Sequence, residues 1–434
     1  MSFDIVEAVG QAVENQIPHE PQTARNILTA AYGWVLVSGK LQRAHTYASA
    51  VERFNADIAK TIVSTFTKPQ NSVLINIFLP AEILAGMHVT PMFPEVISAY
   101  VANTRCCGVF ADYAEGNNVP ESFCSYHKTM IGMAESNVLP APRLIANTTL
   151  ACDANQVSFR RLAHRFGVPH YVVDIPHTPS ERAVDHVELQ LYELIATMED
   201  VFKRPFDEEA FMRAVATSNE TIELMKAYRA QRSEVTLPTT TTGELLEMMA
   251  THLMLGQPSA KRYAQDLLDV SQRAPRRTTT DQSTPHKPRI FWMHTLPNWQ
   301  LAMRDLFDGA NAHAELVGND MTYDAFIELD PSNPVRSLAQ RIVYNHFNGS
   351  GKRRIETTLA QAKAADADGI IVFCHWGCKQ TLGISQLAKT TFESQGFPTL
   401  VLDGDGCDPR NVADGQMVTR VNAFIEQLGG TSRG

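Results

Sequence analysis

No tandem C-x-x-C motifs occur in this chain, so the short paired ligand spacings of a structural zinc site are absent. No P-loop, G-x-S-x-G elbow or dinucleotide fingerprint appears, which removes the familiar routes to ATP hydrolysis and NAD binding. No apolar run approaches the roughly 18 residues of a membrane helix. The opening MSFDIVEAVGQAVENQ is acidic and shows no basic, then apolar, secretory signal. A cytoplasmic protein without a membrane partner is expected. Positive charge is in the minority, 38 Lys and Arg against 47 Asp and Glu, for a net charge of −9. That balance argues against a nucleic-acid partner and means that an anionic substrate must be met by local basic groups or helix N-termini.

The 434 residues exceed one ordinary core, and 44% hydrophobic with 20% charged residues suits a folded, multidomain chain. Residues 1–70 read as a helical segment, with apolar positions at three-to-four spacing and few breakers. Short apolar runs then alternate with helical stretches (SVLINIFLP, RLIANTTLACDA, VPHYVVDIP), which predicts a first Rossmann-like α/β domain over 71–180. Residues 181–272 return to helix, with the Thr239 to Thr242 run as an N-cap region. RAPRRTTTDQSTPHKP, 273–288, reads as a linker. The runs PRIFWMHTLP, NAHAELVGND, DGIIVFCHWGC and FPTLVLDGDGCDP predict a second Rossmann-like domain over 289–434. The expected fold class is therefore α/β, two Rossmann-like parallel-sheet domains with an N-terminal helical segment and a helical insertion between them. No repeat of 20 to 50 residues is evident.

What the chain does have is seven scattered cysteines. A disulfide framework is not expected of an odd number in a reducing compartment. Cys124 in FCSYHK, Cys152 in TTLACDA, and Cys374 and Cys378 in VFCHWGCKQ stand at predicted strand-to-helix turns, where open α/β sheets bind ligands. A thiol at a helix N-terminus is biased toward thiolate, the metal-binding form. Gly377 lets backbone approach a bulky inorganic group. Each cysteine alone reads equally as a buried core residue; the agreement of three segments points to one cluster site assembled from distant pieces. A Cys3His zinc site using His375, Cys374, Cys378 and another cysteine, and a redox pair of Cys374 and Cys378, stay open as rivals. Cys106 and Cys107 are adjacent on a predicted helix and face apart, so neither is expected to ligate. The aspartates around Cys407 read as Asx-turn and capping residues.

FLPAEILAGMHVTP, FCSYHKTMIGM, TTLACDANQVSFRRLAHRFGVPHYVVDIP, FCHWGCKQTLGISQLAK and LDGDGCDPRN together resemble the 2-hydroxyacyl-CoA dehydratase family, which also takes in benzoyl-CoA reductase subunits. The likeness runs from about Ser72 to the C-terminus. It implies a [4Fe–4S] cluster held by three cysteines with one open iron: Cys124 and Cys152 match the first two ligands, Cys378 the third, with Cys374 its competitor. It implies a paralogous partner subunit, a separate ATP-dependent iron–sulfur activator and an acyl-CoA substrate. In the dehydratases one low-potential electron makes a ketyl radical from the thioester, hydroxide leaves C2, and the C3 hydrogen becomes acidic. The alternatives are a benzoyl-CoA reductase subunit and a non-catalytic electron-transfer or structural partner. A double-cubane [8Fe–9S] cluster is disfavoured, because NIFLPAEI and YNHFNGSGKRR lack the extra cysteines of such relatives. Ser125, His375 and Lys379 are the candidate catalytic residues, placed where hydrogen bonds and charge tune the cluster.

Overall fold

The computed structural model describes residues 5–277, 287–309, 312–322 and 326–430. Most of the stretch read as a linker, 273–288, lies outside them. The chain opens with three helices, α1 (Ile5–Gln16), α2 (Pro21–Lys40) and α3 (Tyr47–Thr67). A Thr46–Ser49 capping box starts α3. The first sheet region runs β1 (Ser72–Ile75), α4 (Glu82–Gly86), β2 (Thr90–Met92), α5 (Pro94–Asn103), α6 (Cys107–Gly116), α7 (Ser125–Glu135), β3 (Leu144–Thr148), α8 (Asp153–Phe166) and β4 (His170–Val173). Four long helices follow: α9 (Glu181–Phe202), α10 (Glu208–Glu234), α11 (Thr241–His252) and α12 (Pro258–Arg273). Ser180, Asp207 and Thr240 cap the first three through side-chain oxygens. The second sheet region runs β5 (Arg289–Met293), α13 (Leu301–Phe307), β6 (Glu315–Asn319), α14 (Pro334–Val343), α15 (Gly351–Ala364), β7 (Gly369–His375), α16 (Lys379–Ser394), β8 (Thr399–Gly404) and α17 (Asp414–Gly430). Among the described residues no helix is long and apolar enough to cross a membrane.

Both sheets are parallel, with orders β2-β1-β3-β4 and β6-β5-β7-β8. The expected α/β class with two parallel sheets is what the chain adopts, and both sheets share one strand order although the sequence shows no repeat. The inner strands β1, β3, β5 and β7 are buried on both faces, in keeping with their mostly apolar sequences. In each sheet the order in which strands are added reverses between the two inner strands, so the crevice where such folds bind ligands opens beyond the carboxyl ends of β1 and β3, and of β5 and β7.

One apolar core takes in the three N-terminal helices, the first sheet and α9 to α12. Helix α14 lies beyond β6 in sequence yet joins that core through Val335, Leu338 and Ile342. Separate clusters line the two faces of the second sheet.

Candidate cluster site

The carboxyl ends of the two sheets face one cavity of about 330 Å³. Its wall takes Ile77 and Phe78 from beyond β1, Ala151 and Cys152 from beyond β3, His294 and Thr295 from beyond β5, and His375, Gly377 and Cys378 from the end of β7. Cys124 completes the set of thiols lining it. Each of the three cysteines occupies the N-cap position of a helix: Cys124 on α7, Cys152 on α8 and Cys378 on α16. Three helix N-termini, with their unsatisfied N–H groups and partial positive charge, thus converge on the three sulfurs.

That arrangement works against burial. Desolvation, then Cys152 and Cys378, push the Cys124 thiol well above its ordinary range, while the backbone N–H of His127 pulls it down. Desolvation and then Cys378 push Cys152 up to about 12, opposed by the N–H groups of Asn155 and Ala154. Three sulfurs that repel one another as thiolates, in an apolar cavity ringed by helix N-termini, suit a cationic inorganic core.

Two histidines address the thiols in opposite senses. His375 Nδ1 accepts the Gly406 N–H at 2.9 Å, so the ring hydrogen sits on Nε2 and donates toward Cys124 Sγ at 3.3 Å. His127 Nδ1 lies 2.7 Å from Ser158 Oγ, whose own hydrogen goes to the Ala154 carbonyl at 2.9 Å. His127 Nδ1 therefore donates, and Nε2 accepts from Cys152 Sγ at 3.4 Å. Burial, then His375, holds His127 down at about 3, and burial keeps His375 below its usual value. Both rings are neutral near pH 7.

Two further polar groups line the cavity. Glu95, in the first turn of α5, leaves Oε2 buried without a hydrogen bond, and burial raises its carboxyl to about 8 against the backbone N–H groups of Glu95 and Ile77. His294 leaves Nδ1 buried and unpartnered and adopts φ 88°, a left-handed conformation unusual for histidine. Its N–H donates to Asp320 Oδ1 at 2.8 Å and its carbonyl accepts from Asn319 Nδ2 at 2.6 Å, which hold the backbone in that form.

The structure brings together Cys124, Cys152, Cys378 and His375 and leaves other expected residues out. Cys374 precedes His375 on β7, and adjacent strand residues point to opposite faces. It lines a separate cavity of about 440 Å³ with Asp403 and Arg420. Ser125 donates to Asp405 Oδ1 at 2.6 Å and stands 3.5 Å from His375 Nε2, behind the ring and outside the cavity wall, so it positions rather than touches. Lys379 is exposed at the cavity rim. Cys124 does not follow a strand: the chain reaches it by a loop from α6, because the β2-to-β3 connection carries α5, α6 and α7. Asp405 accepts from the N–H groups of Cys407 and Asp408, an Asx turn. Cys107 and Cys407 pack against each other at 3.5 Å, and neither they nor Cys106 line the cavity.

His127, Glu95 and His294 were not singled out from sequence. His127 falls at the third helical position after Cys124, and His294 at the carboxyl end of β5; both positions were readable signals. Glu95 reads as an ordinary acidic residue in a first turn.

A cluster fits these residues. Gly377, at φ 78°, lies so close to the Cys124 loop that an added Cβ would sit 2.6 Å from Cys124 Cα and from Phe123 C, and would also strike Cys124 N. Among the described residues no three His, Cys, Asp or Glu side chains gather tightly enough for a single metal ion, whereas three soft sulfurs around an open cavity are the donor set of a multi-iron cubane. Gly377→Ala is expected to part the Cys378 and Cys124 segments and lower stability by about 2–4 kcal/mol, the combined cost of a strained φ and an overpacked contact. Denaturant unfolding checks it; a loss under about 1 kcal/mol would show that the two loops do not need this approach.

The family described as 2-hydroxyglutaryl-CoA dehydratase, D-component, matches residues 76–428. The chain is 22% identical over 370 residues to the (R)-phenyllactyl-CoA dehydratase alpha subunit of Clostridium sporogenes, covering 80% of this chain and 87% of that protein. It is 22% identical over 392 residues to the lactoyl-CoA dehydratase subunit alpha of Anaerotignum propionicum, covering 80% and 88%. It is 20% identical over 363 residues to the (R)-2-hydroxyisocaproyl-CoA dehydratase alpha subunit of Clostridioides difficile, again covering 80% and 88%.

Proposed function

The chain belongs to the 2-hydroxyacyl-CoA dehydratase family, and from that premise we propose that it is the iron–sulfur subunit of an enzyme that removes water from a 2-hydroxyacyl-CoA thioester. The observation that carries this reading is the meeting of three helix-capping cysteines, 28 and 226 residues apart along the chain (124 to 152, 152 to 378), at the carboxyl ends of both sheets. A [4Fe–4S] cluster held by Cys124, Cys152 and Cys378 supplies, when bound, a one-electron carrier with one open Lewis-acid position.

The protein's own groups divide the remaining work. The helix N-termini stabilise the thiolates, and His375 Nε2–H donates to Cys124 Sγ, which draws charge off that sulfur. The apolar wall excludes water from the reacting thioester. Loss of water breaks the C2–O and one C3–H bond, so one proton must be taken up and one delivered. Glu95 Oε2, buried and unpartnered in the cavity, can hold a proton for the departing hydroxyl. Lys379 at the rim offers a positive charge to the anionic CoA, against the overall negative field of the chain. The alpha-subunit relatives support a related partner subunit, and the family resemblance supports a separate ATP-dependent activator that supplies the electron.

The test is spectroscopic. In the oxygen-free complex, an iron–sulfur EPR signal of this subunit should change when a 2-hydroxyacyl-CoA is added and stay unchanged with CoA alone. A signal indifferent to saturating acyl-CoA would reject substrate binding at this site and leave the subunit an electron relay.

A further inference from the structure

Among the described residues, the wall of the cavity formed by α11 and the segment after β1 carries no cation. Leu245, Met248 and Met249 from α11 face the cavity, as do Ile77, Phe78 and Phe347. The Phe347 ring packs against Phe78 at 5.6 Å between centroids and is covered on another side by the Arg354 guanidinium at 4.5 Å. Arg354 does not itself line the cavity: it is buried, ion-paired to Asp320 Oδ2 at 2.7 Å and bonded to Thr381 Oγ1 at 2.9 Å, and its Nη2 has no hydrogen-bond partner. The ammonium of Lys379 stands in solvent at the rim. The acidic side chains that line the cavity are Asp153 and Glu95, the latter with one oxygen unpartnered.

From this wall we infer that the site selects a 2-hydroxyacyl-CoA whose acyl side chain is apolar and uncharged, branched aliphatic or aromatic, and discriminates against one ending in a second carboxylate. The inference rests on the reading of the cavity as the acyl-CoA site. A terminal carboxylate placed against Met248, Met249 and Phe347 would lose its hydration and gain no cation in return. Methionine side chains adapt to differing apolar shapes, so the wall tolerates aliphatic and aromatic groups alike. Charge, not size, is the main discriminator.

Equilibrium competition binding to the oxygen-free complex tests this with 2-hydroxy-4-methylpentanoyl-CoA, 2-hydroxy-3-phenylpropanoyl-CoA and 2-hydroxyglutaryl-CoA. The first two should bind on the order of ten-fold to a hundred-fold tighter than the third. Equal or tighter binding of 2-hydroxyglutaryl-CoA would overturn the inference and leave the acyl-CoA reading standing. Failure of all three to bind would overturn both. In a Met248→Lys variant that keeps the wild-type circular dichroism, the gap should close by about ten-fold as the ammonium meets the carboxylate; an unchanged gap there would remove α11 from the selecting wall. If that variant does not fold, the three wild-type affinities decide the matter.

Discussion

Serine in place of Cys378 should strip most of the iron and sulfide from the chain and stop turnover, whereas serine in place of Cys374 should leave both near wild-type. The two cysteines are four residues apart and both buried or half-buried, so composition does not separate them. The strand does. Cys374 lies on the face of β7 opposite His375 and lines a different cavity, while Cys378 caps α16 beside Cys124 and Cys152. Thiolates hold iron–sulfur clusters, and a serine hydroxyl at one of three positions is a harder and far less acidic ligand. Iron, acid-labile sulfide and turnover, measured side by side on the two variants in oxygen-free preparations, check the contrast. Iron lost from Cys374→Ser but kept in Cys378→Ser would exchange the two assignments.

Arg232→Ala is expected to cost about 3–5 kcal/mol of stability, the usual consequence of removing one partner from a buried ionic network. Arg232 is 3% exposed and pairs with Glu244 and with Glu247 at 3.5 Å, while donating to the Leu316 carbonyl at 2.5 Å. Arg229 and Tyr228 also bond Glu247, at 2.5 and 2.9 Å. The network ties α10 to α11 and to β6. Removing the guanidinium leaves Glu244 out of water without its ion-pair partner and beside Glu247, which keeps Arg229; burial already raises Glu244 despite Arg232. Because α11 carries Leu245, Met248 and Met249, the same change should loosen the acyl wall. Chemical denaturation measures the first effect, and weakened binding of 2-hydroxy-4-methylpentanoyl-CoA the second. A loss below about 1 kcal/mol would mean that solvent reaches the network.

The buried strands were the most legible part of the sequence. GIIVF is a continuous apolar run of strand length and LIANTT opens on one, and they form β7 and β3. The three-residue β2, which contains Pro91, was not distinguishable from a turn. The shared strand order was hidden because it is set by crossovers rather than by recurring residues. Within the site, Cys152 and Cys378 could be placed because each follows a recognisable strand directly. Cys124 is reached from β2 through two helices, α5 and α6, so its meeting with Gly377, 253 residues later (377 − 124), is a property of the tertiary fold. The exclusion of Cys374 was readable in principle from its adjacency to His375 on a strand. His127, Glu95 and His294 look unremarkable in sequence because their roles arise from what the fold leaves unpaired around the cavity.

The central claim is that Cys124, Cys152 and Cys378 jointly hold an iron–sulfur cubane. Iron and acid-labile sulfide per chain, determined on the wild-type subunit purified without oxygen, test it most directly. The account predicts about four of each, as a single cubane requires. A colourless protein with stoichiometric zinc, or with no bound metal, would contradict it.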